Sequence, residues 1–425
     1  MLRVLYSLTL YLTFPIWAVW MLRRAKARNQ QPDWRQRFGH YDNIPAKTKP
    51  RIWFHAVSVG EVMAAKPIIE QFRQLKPNFE IVVSCTTTTG FCLADQSKHA
   101  DILIYFPIDL PHVCKRAMKT VQPDIVAILE TEIWFNFLHY AKKQFAAAAI
   151  VNGRISDRSF ADAVRVRWFY KKVFRLLDAC LMQTETDAKR ARFFGAKAEI
   201  IGNSKYDVQL PQQGELDWNA ALDLKEGEPL VVFGSIRGEE EENLTLDAIA
   251  NIQCKVLFAP RHIERAEQIL SKAQARNLSA GRFSLGETDA RLVILDQIGL
   301  LSSAYSRASA AVIGGGFAPL GGQNIIEPLS AGCPVICGPH MHNFRQPFEE
   351  GVRTGAVLAA ADSAQIARHV QQLLADPARQ RAMGEAGRRL VEQHRGSAKK
   401  YALRLAALAN SPDSKKQGVS EKPMR

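Results

Sequence analysis

Short apolar runs bounded by polar or glycine-rich stretches recur along most of the chain. Arg51–Ala56 reads as a strand, Ser58–Gly60 as a tight turn, and Glu61 to about Leu75 as a helix. Ile81–Ser84, Asp124–Leu129 and Ala146–Val151 read as further strands. Strands this uniformly apolar, separated by helical stretches, belong to a parallel sheet covered on both faces. A second series starts near residue 230, with Leu230–Phe233, Val256–Phe258, Leu292–Leu295 and Ala310–Ile313 as strands. Asn324–Ala331 and Ala364–Leu374 read as helices of that series, and Ala378–Ala409 as mostly helical. Residues 211–229 form a polar linker between the two series. The pattern predicts an α/β chain of two Rossmann-like domains facing a cleft, residues 29–210 and 230–410. Ligands of such sheets sit outside the carboxyl ends of the strands. The polar tail, residues 411–425, is expected to be disordered.

Residues 4–22 break this rhythm. They carry no charged side chain and, as a helix, reach roughly 28 Å, about one hydrocarbon thickness. Arg23, Arg24, Lys26 and Arg28 follow together, against Arg3 and the terminal amine before the run. This bias predicts a membrane anchor over residues 1–28, with the start of the chain outside and the rest in the cytoplasm. A helix lying in the membrane interface is the other reading, since Pro15 would kink a span. The run lacks the strong basic start and small-residue cleavage site of a signal peptide.

A chain of 425 residues is long enough for two cores. Its apolar fraction of 47% is ordinary for a soluble protein, so the membrane element is local. The net charge of +14 calls for an anionic partner, and nucleic acid, a membrane surface or a phosphorylated substrate all qualify. Seven cysteines without CxxC pairing read as reduced thiols.

Several clusters can carry chemistry. In His55-Ala-Val-Ser-Val-Gly-Glu61, a carboxylate stands where a helix begins, as either a helix-capping acid or a general base at the mouth of the cleft. Glu130 and Glu132 come directly off an apolar strand, where paired acids can raise one another's pKa or simply lie on a surface loop. The glycine-rich run that contains Gly315 and Gly316, and then Gly322, follows a strand and leads into a helix, so that free N–H groups can face a phosphate. Glu327, one turn beyond Asn324, suits ribose hydroxyls or reads as an acid on the helix surface. Ser235, Arg237, Arg261 and His262 follow the first two strands of the same domain and can reach the same phosphate. Arg165–Leu177 is basic and aromatic, either an ordinary amphipathic helix or one whose basic side meets anionic headgroups. Zinc-ligand spacings and an Asp-x-Asp pair are absent, which favours chemistry without a divalent ion.

In order along the chain stand HAVSVGE (55–61), FPIDLP (106–111), ETEIWFN (130–136), NGRISDRS (152–159), GNSKYD (202–207), PRH (260–262), GGQNIIEP (321–328) and GPHMHNF (338–344). Together they resemble the 3-deoxy-D-manno-octulosonic acid (Kdo) transferases of lipopolysaccharide synthesis, over nearly the whole chain. The resemblance implies a GT-B glycosyltransferase of two Rossmann-like domains, the first for the acceptor and the second for CMP. It implies an inverting, metal-independent transfer from the donor substrate CMP-Kdo, without a separate cofactor, to a phosphorylated lipid A precursor. The other partner is an anionic membrane surface, with no nucleic acid, and the place is the cytoplasmic side of a bacterial inner membrane. Glu61 would be the base, with Glu130 and Lys205 stabilising the transition state. Arg261, the turn Ile298, Gly299 and Leu300, and the segment Asn324, Ile325, Ile326 and Glu327 would bind CMP. Three positions depart from the family pattern: Phe135 replaces a proline, Gln323 a histidine, and Ile298-Gly-Leu-Leu301 a turn with an acid. Other readings are a sugar-nucleotide epimerase or hydrolase of the same fold, and a non-catalytic membrane adaptor.

Overall fold

The computed structural model describes residues 2–27, 33–42, 44–130, 132–207 and 216–409. Arg28 of the basic cluster, residues 211–215 of the expected linker and the expected tail 411–425 lie outside the described residues. Two compact units result: Met1–Asp207 joined by the chain from Gly396 onward, and Val208–Arg395.

In the first unit, seven strands form one parallel sheet: β1 (Arg51–Ala56), β2 (Glu80–Cys85), β3 (Ile102–Tyr105), β4 (Ile125–Leu129), β5 (Ala147–Gly153), β6 (Ala179–Met182) and β7 (Ala198–Ile200). Their order is β3-β2-β1-β4-β5-β6-β7. Alternate side chains feed two cores. Trp53, Val82 and Val126 go to one face with Met118 and Phe137, while Ile52, Phe54 and Val83 go to the other with Ile68 and Phe72. That second core is closed by helix Ser397–Ala409, whose Tyr401, Ala402 and Leu405 are fully buried. The sequence pattern extends the second domain to residue 410, but this helix packs on the first unit. The chain breaks at Gly396 (φ 89°), and the Asp207 carboxylate accepts the N–H groups of Gly396 at 2.6 Å and Ala398 at 2.7 Å.

The second unit repeats the plan with β8 (Leu230–Ile236), β9 (Lys255–Pro260), β10 (Ala280–Arg282), β11 (Leu292–Ile294), β12 (Ala310–Ile313), β13 (Val335–Cys337) and β14 (Val357–Ala359). These strands are parallel in the order β10-β11-β9-β8-β12-β13-β14. In each sheet the winding reverses beside its first strand, between β1 and β4 and between β8 and β12. Such a switch point opens a crevice at the carboxyl ends of the strands.

The N-terminal run forms helix Leu2–Ala27, which by length and composition could cross a membrane. One face rests on the first unit. Arg3 and Ser7 donate to Asn136 Oδ1, Tyr6 donates to Asp109, Tyr11 bonds His112 at 2.6 Å, and Phe14 packs edge-on against Phe38. Leu5, Leu8, Leu12 and Ile16 lie exposed, Leu12 at 79% and Ile16 at 75%. The helix Arg167–Phe174 lies beside it, with Phe169 against Tyr6 at 5.5 Å and Trp168 exposed at 56%. Its buried Val173 and Phe174 give the packed side expected of that basic, aromatic stretch.

Candidate active site

At the first switch point, β1 runs through Val57 and Ser58 into helix Val59–Leu75, with Glu61 third in the helix. The buried Glu61 carboxylate turns back rather than outward, accepting the Val57 N–H at 2.8 Å and the Ser58 hydroxyl at 3.0 Å. Burial first, and then the charge of Glu130, raise it to about 8, against the lowering effect of those two bonds. A carboxylate that titrates near neutrality is suited to take a proton from a hydroxyl. The capping and base readings of Glu61 thus share one geometry.

Glu130 follows β4, the other strand of the switch. Its backbone is left-handed at φ 55°, a conformation that a non-glycine residue holds only where its surroundings enforce it. Here its N–H is held by Val151 O at 3.0 Å, and its carboxylate receives Lys205 Nζ at 3.0 Å. Glu132 is half-buried and raised above the usual carboxylate range by burial and by Glu130.

Lys205 sits in the short 3-10 turn Ser204–Tyr206, positioned from three sides. Asn203 Oδ1 accepts the Lys205 N–H at 3.0 Å, Asn152 Oδ1 accepts the Ser204 N–H at 3.0 Å, and the Ser204 hydroxyl bonds Ala64 O on the Glu61 helix at 2.8 Å. The fold therefore gathers Glu61, Glu130 and Lys205 at the carboxyl ends of the strands of one sheet from segments far apart in sequence. His55 is excluded from this chemistry. It is fully buried, stacked on Phe106 at 3.6 Å, and lowered to about 3 by burial.

At the second switch point, Ser235 (φ 56°) and Arg237 follow β8, and Arg261 and His262 follow β9. Desolvation and then the charge of Arg237 hold Arg261 below the ordinary arginine range; desolvation and Arg261 do the same to His262. Among the described residues, neither Arg237 nor Arg261 has an ion pair, so two cations meet without an acid between them. Such a pair favours an anion.

The glycine loop after β12 departs from expectation. The N–H groups of Gly315, Phe317 and Ala318 are taken by the buried carboxylate of Glu241, at 2.6, 2.9 and 3.1 Å, and the Gly322 N–H bonds Gly315 O at 2.6 Å. The donors of Gly315 and Gly322 thus hold the loop together instead of facing outward. Gly316 is there for close packing, since a Cβ would meet Met341 and Gly338. Glu241 is absent from the sequence reading, hidden in the run Glu239–Glu242.

Beyond the loop, Asn324 uses both ends of its amide: Oδ1 caps the N–H of Ile326 at 3.0 Å and Nδ2 donates to Glu327 at 2.8 Å. Ile325 and Ile326 are fully buried and can offer only backbone. Burial raises Glu327 above the usual carboxylate range, while bonds from Asn324 and Ser302 oppose it. Ser302 also links Glu327 to the turn at Ile298, Gly299 (φ 95°) and Leu300, where Ile298 is 73% exposed. The described residues contain no group of three or more His, Cys, Asp or Glu side chains arranged to hold a metal ion.

The family model of 3-deoxy-D-manno-octulosonic-acid transferase (kdotransferase) matches residues 32–208, and that of glycosyl transferases group 1 matches residues 293–390. In solved structures the fold alone recurs, in a glycosyltransferase from Rickettsia africae (TM-score 0.55, 12% identity, 86% of this chain and 100% of that one) and in a UDP-N-acetylglucosamine 2-epimerase (TM-score 0.52, 15% identity, 81% and 95%). The sequence discriminates further. The 3-deoxy-D-manno-octulosonic acid transferase of Chlamydophila psittaci is 30% identical over 84% of this chain and 85% of its own. That of Bordetella pertussis is 32% identical over 94% of this chain and 97% of its own. End-to-end similarity of that degree, on a fold shared by many activities, shows that this chain belongs to the 3-deoxy-D-manno-octulosonic acid transferase family of glycosyltransferases.

Proposed function

We propose that the protein transfers Kdo from CMP-Kdo to the lipid A precursor lipid IVA, with inversion at the anomeric carbon and release of CMP. The observation that carries the mechanism is the buried Glu61 carboxylate, raised to about 8 at the first switch point beside the Glu130–Lys205 pair. Glu61 takes the proton of the attacking glucosamine 6-hydroxyl as its oxygen bonds the anomeric carbon, and CMP departs with the electrons of the broken bond. Lys205, oriented by Glu130, offers a fixed positive charge to the anionic groups of the transition state. The first unit, with the anchor helix, serves the acceptor, and the second serves the nucleotide. There Arg237, Arg261 and His262, with Ser235, hold the phosphate without need of a divalent ion, while Glu327 accepts from ribose hydroxyls. Backbone groups of Ile298–Leu300, Gly316 and Asn324–Ile326 complete the nucleotide contacts; a contact through backbone tolerates the loss of the acid from that turn. The helix Leu2–Ala27 keeps the enzyme on a bacterial inner membrane, with both units on the cytoplasmic side and the basic surface on anionic headgroups.

The test is mass analysis of the lipid formed by purified protein with CMP-Kdo and lipid IVA, alongside measurement of CMP. Added Kdo mass on the lipid, with CMP release strictly dependent on acceptor, is expected. CMP release in water alone would overturn the transfer in favour of a hydrolase.

A further inference from the structure

The motifs FPIDLP and ETEIWFN meet at a buried node that the transfer chemistry leaves unused. Asp109, 3% exposed, accepts the N–H of Phe137 at 2.7 Å and of Asn136 at 3.1 Å, so that it caps helix Phe135–Lys143. Its backbone oxygen accepts Asn136 Nδ2 at 2.7 Å. The Cys114 thiol donates to Asp109 Oδ1 at 3.3 Å, and three further donors come from the N-terminal helix: Tyr6 gives its hydroxyl hydrogen to Asp109 Oδ2 at 2.8 Å, and Ser7 and Arg3 donate to Asn136 Oδ1 at 3.2 and 3.3 Å. Tyr6 also packs its ring 5.8 Å from Phe135. Arg3, Tyr6 and Ser7 of the N-terminal helix therefore converge on one buried point of the domain.

That point has a geometric meaning. The chain leaves β4 at Leu129 and enters the capped helix at Phe135, and the residues between include Glu130 and Glu132. One end of this short bridge is pinned by the Glu130 N–H on Val151 O, and the other by Asp109 on Asn136 and Phe137. A carboxylate carried on a bridge keeps its position only as well as both pins do, and small misplacements of catalytic groups are expensive. We propose that Asp109 and Asn136 are positioning residues that fasten the N-terminal helix to the catalytic bridge, making the helix a working part of the reaction site as well as an anchor. The proposal rests on Glu130 acting in the transfer.

The experiment uses full-length protein in detergent micelles with CMP-Kdo and lipid IVA, comparing Tyr6→Phe, Ser7→Ala, Glu130→Gln and the Tyr6→Phe/Glu130→Gln pair. Tyr6→Phe is expected to lower kcat about tenfold while leaving CMP affinity and sedimentation with anionic vesicles unchanged, and Ser7→Ala to do the same more weakly. The double variant should turn over no more slowly than Glu130→Gln alone, because the helix acts through that residue. Normal kcat in both Tyr6→Phe and Ser7→Ala, or a fully additive double variant, overturns the proposal while Glu130→Gln remains impaired. Normal turnover in Glu130→Gln overturns the assignment of Glu130 itself, and the proposal with it.

Discussion

Glu61 and Glu241 each stand third in the helix after the first strand of their unit, and each reaches back to the backbone N–H four residues earlier, from Val57 at 2.8 Å and from Arg237 at 3.1 Å. Both are buried. They differ in what else they accept. Glu241 takes three further N–H groups, those of Gly315, Phe317 and Ala318, and so meets the full acceptor capacity of a carboxylate with fixed backbone. Among the described residues, Glu61 takes only the Ser58 hydroxyl besides, and faces the charge of Glu130. The same residue in the same local frame is held by four N–H groups in one unit and left with few donors and a raised pKa in the other, the state suited to the base proposed for Glu61. Burial raises a carboxylate's pKa, and hydrogen-bond donors to its charged form oppose the rise.

The comparison can be broken most directly by neutralising both acids. Glu61→Gln should lower turnover by about 10²–10⁴ with CMP affinity close to the parent's, since the amide keeps the shape but cannot take a proton. Initial rates of CMP release, with calorimetric titration of CMP, check both halves; normal turnover would move the base elsewhere, with Glu130 next. Glu241→Gln should instead act on stability, by about 3 kcal/mol, because an amide nitrogen replaces an acceptor among four N–H donors. Chemical denaturation of the second unit's transition reports this, and an unchanged midpoint would deny Glu241 its structural role. Arg261→Ala should weaken CMP about tenfold and leave Glu61-dependent pH behaviour intact. Equal CMP affinity would leave the unpaired cations of the second unit without a nucleotide role.

The smallest effect is the sharpest. Glu61 is raised from about 4.5 to about 8, so between those values the folded protein holds a proton that the unfolded chain has released. That contribution is fully present below about pH 4.5 and is lost as pH rises through about 8. The melting temperature of the parent should therefore fall relative to Glu61→Gln across this window and run parallel above it. In the same window kcat/KM of the parent should rise with the deprotonated fraction. Parallel melting curves throughout would mean that Glu61 is an ordinary ionised cap.

Much of this was legible in the chain because parallel strands buried on both faces announce themselves as apolar runs. β1 and β12 match their sequence boundaries, whereas β10, β13 and β14 are only three residues long and carry no periodicity to read. The return of helix Ser397–Ala409 to the first unit was hidden, since its ties are to residues distant in sequence, Asp207 on Gly396 and the Tyr401 hydroxyl on Gly202 O among them. At the site, Glu61 and Glu130 were visible by their place after strands. Lys205 entered only through family resemblance, because its position depends on Asn152, distant in sequence. Glu241 had one usable signal, an acid repeated at the same place after the first strand of each series, masked by its glutamate neighbours.

The contacts of the N-terminal helix, from Arg3 to Phe14 on a single unit, bear on how the proposed transfer would meet its lipid acceptor. Past Phe14 the helix has residues 15–27, about 20 Å of rise against a hydrocarbon slab of about 30 Å. If the helix lies along one leaflet, its exposed flank of Leu5, Leu8, Leu12 and Ile16 is the side that meets the lipid. Encounter with a lipid becomes a search over a plane at nearly constant height, where lateral diffusion replaces tumbling and the two partners share one orientation before they touch. Turnover on dilute acceptor should accordingly follow the surface density of the lipid in the leaflet rather than its concentration in the tube.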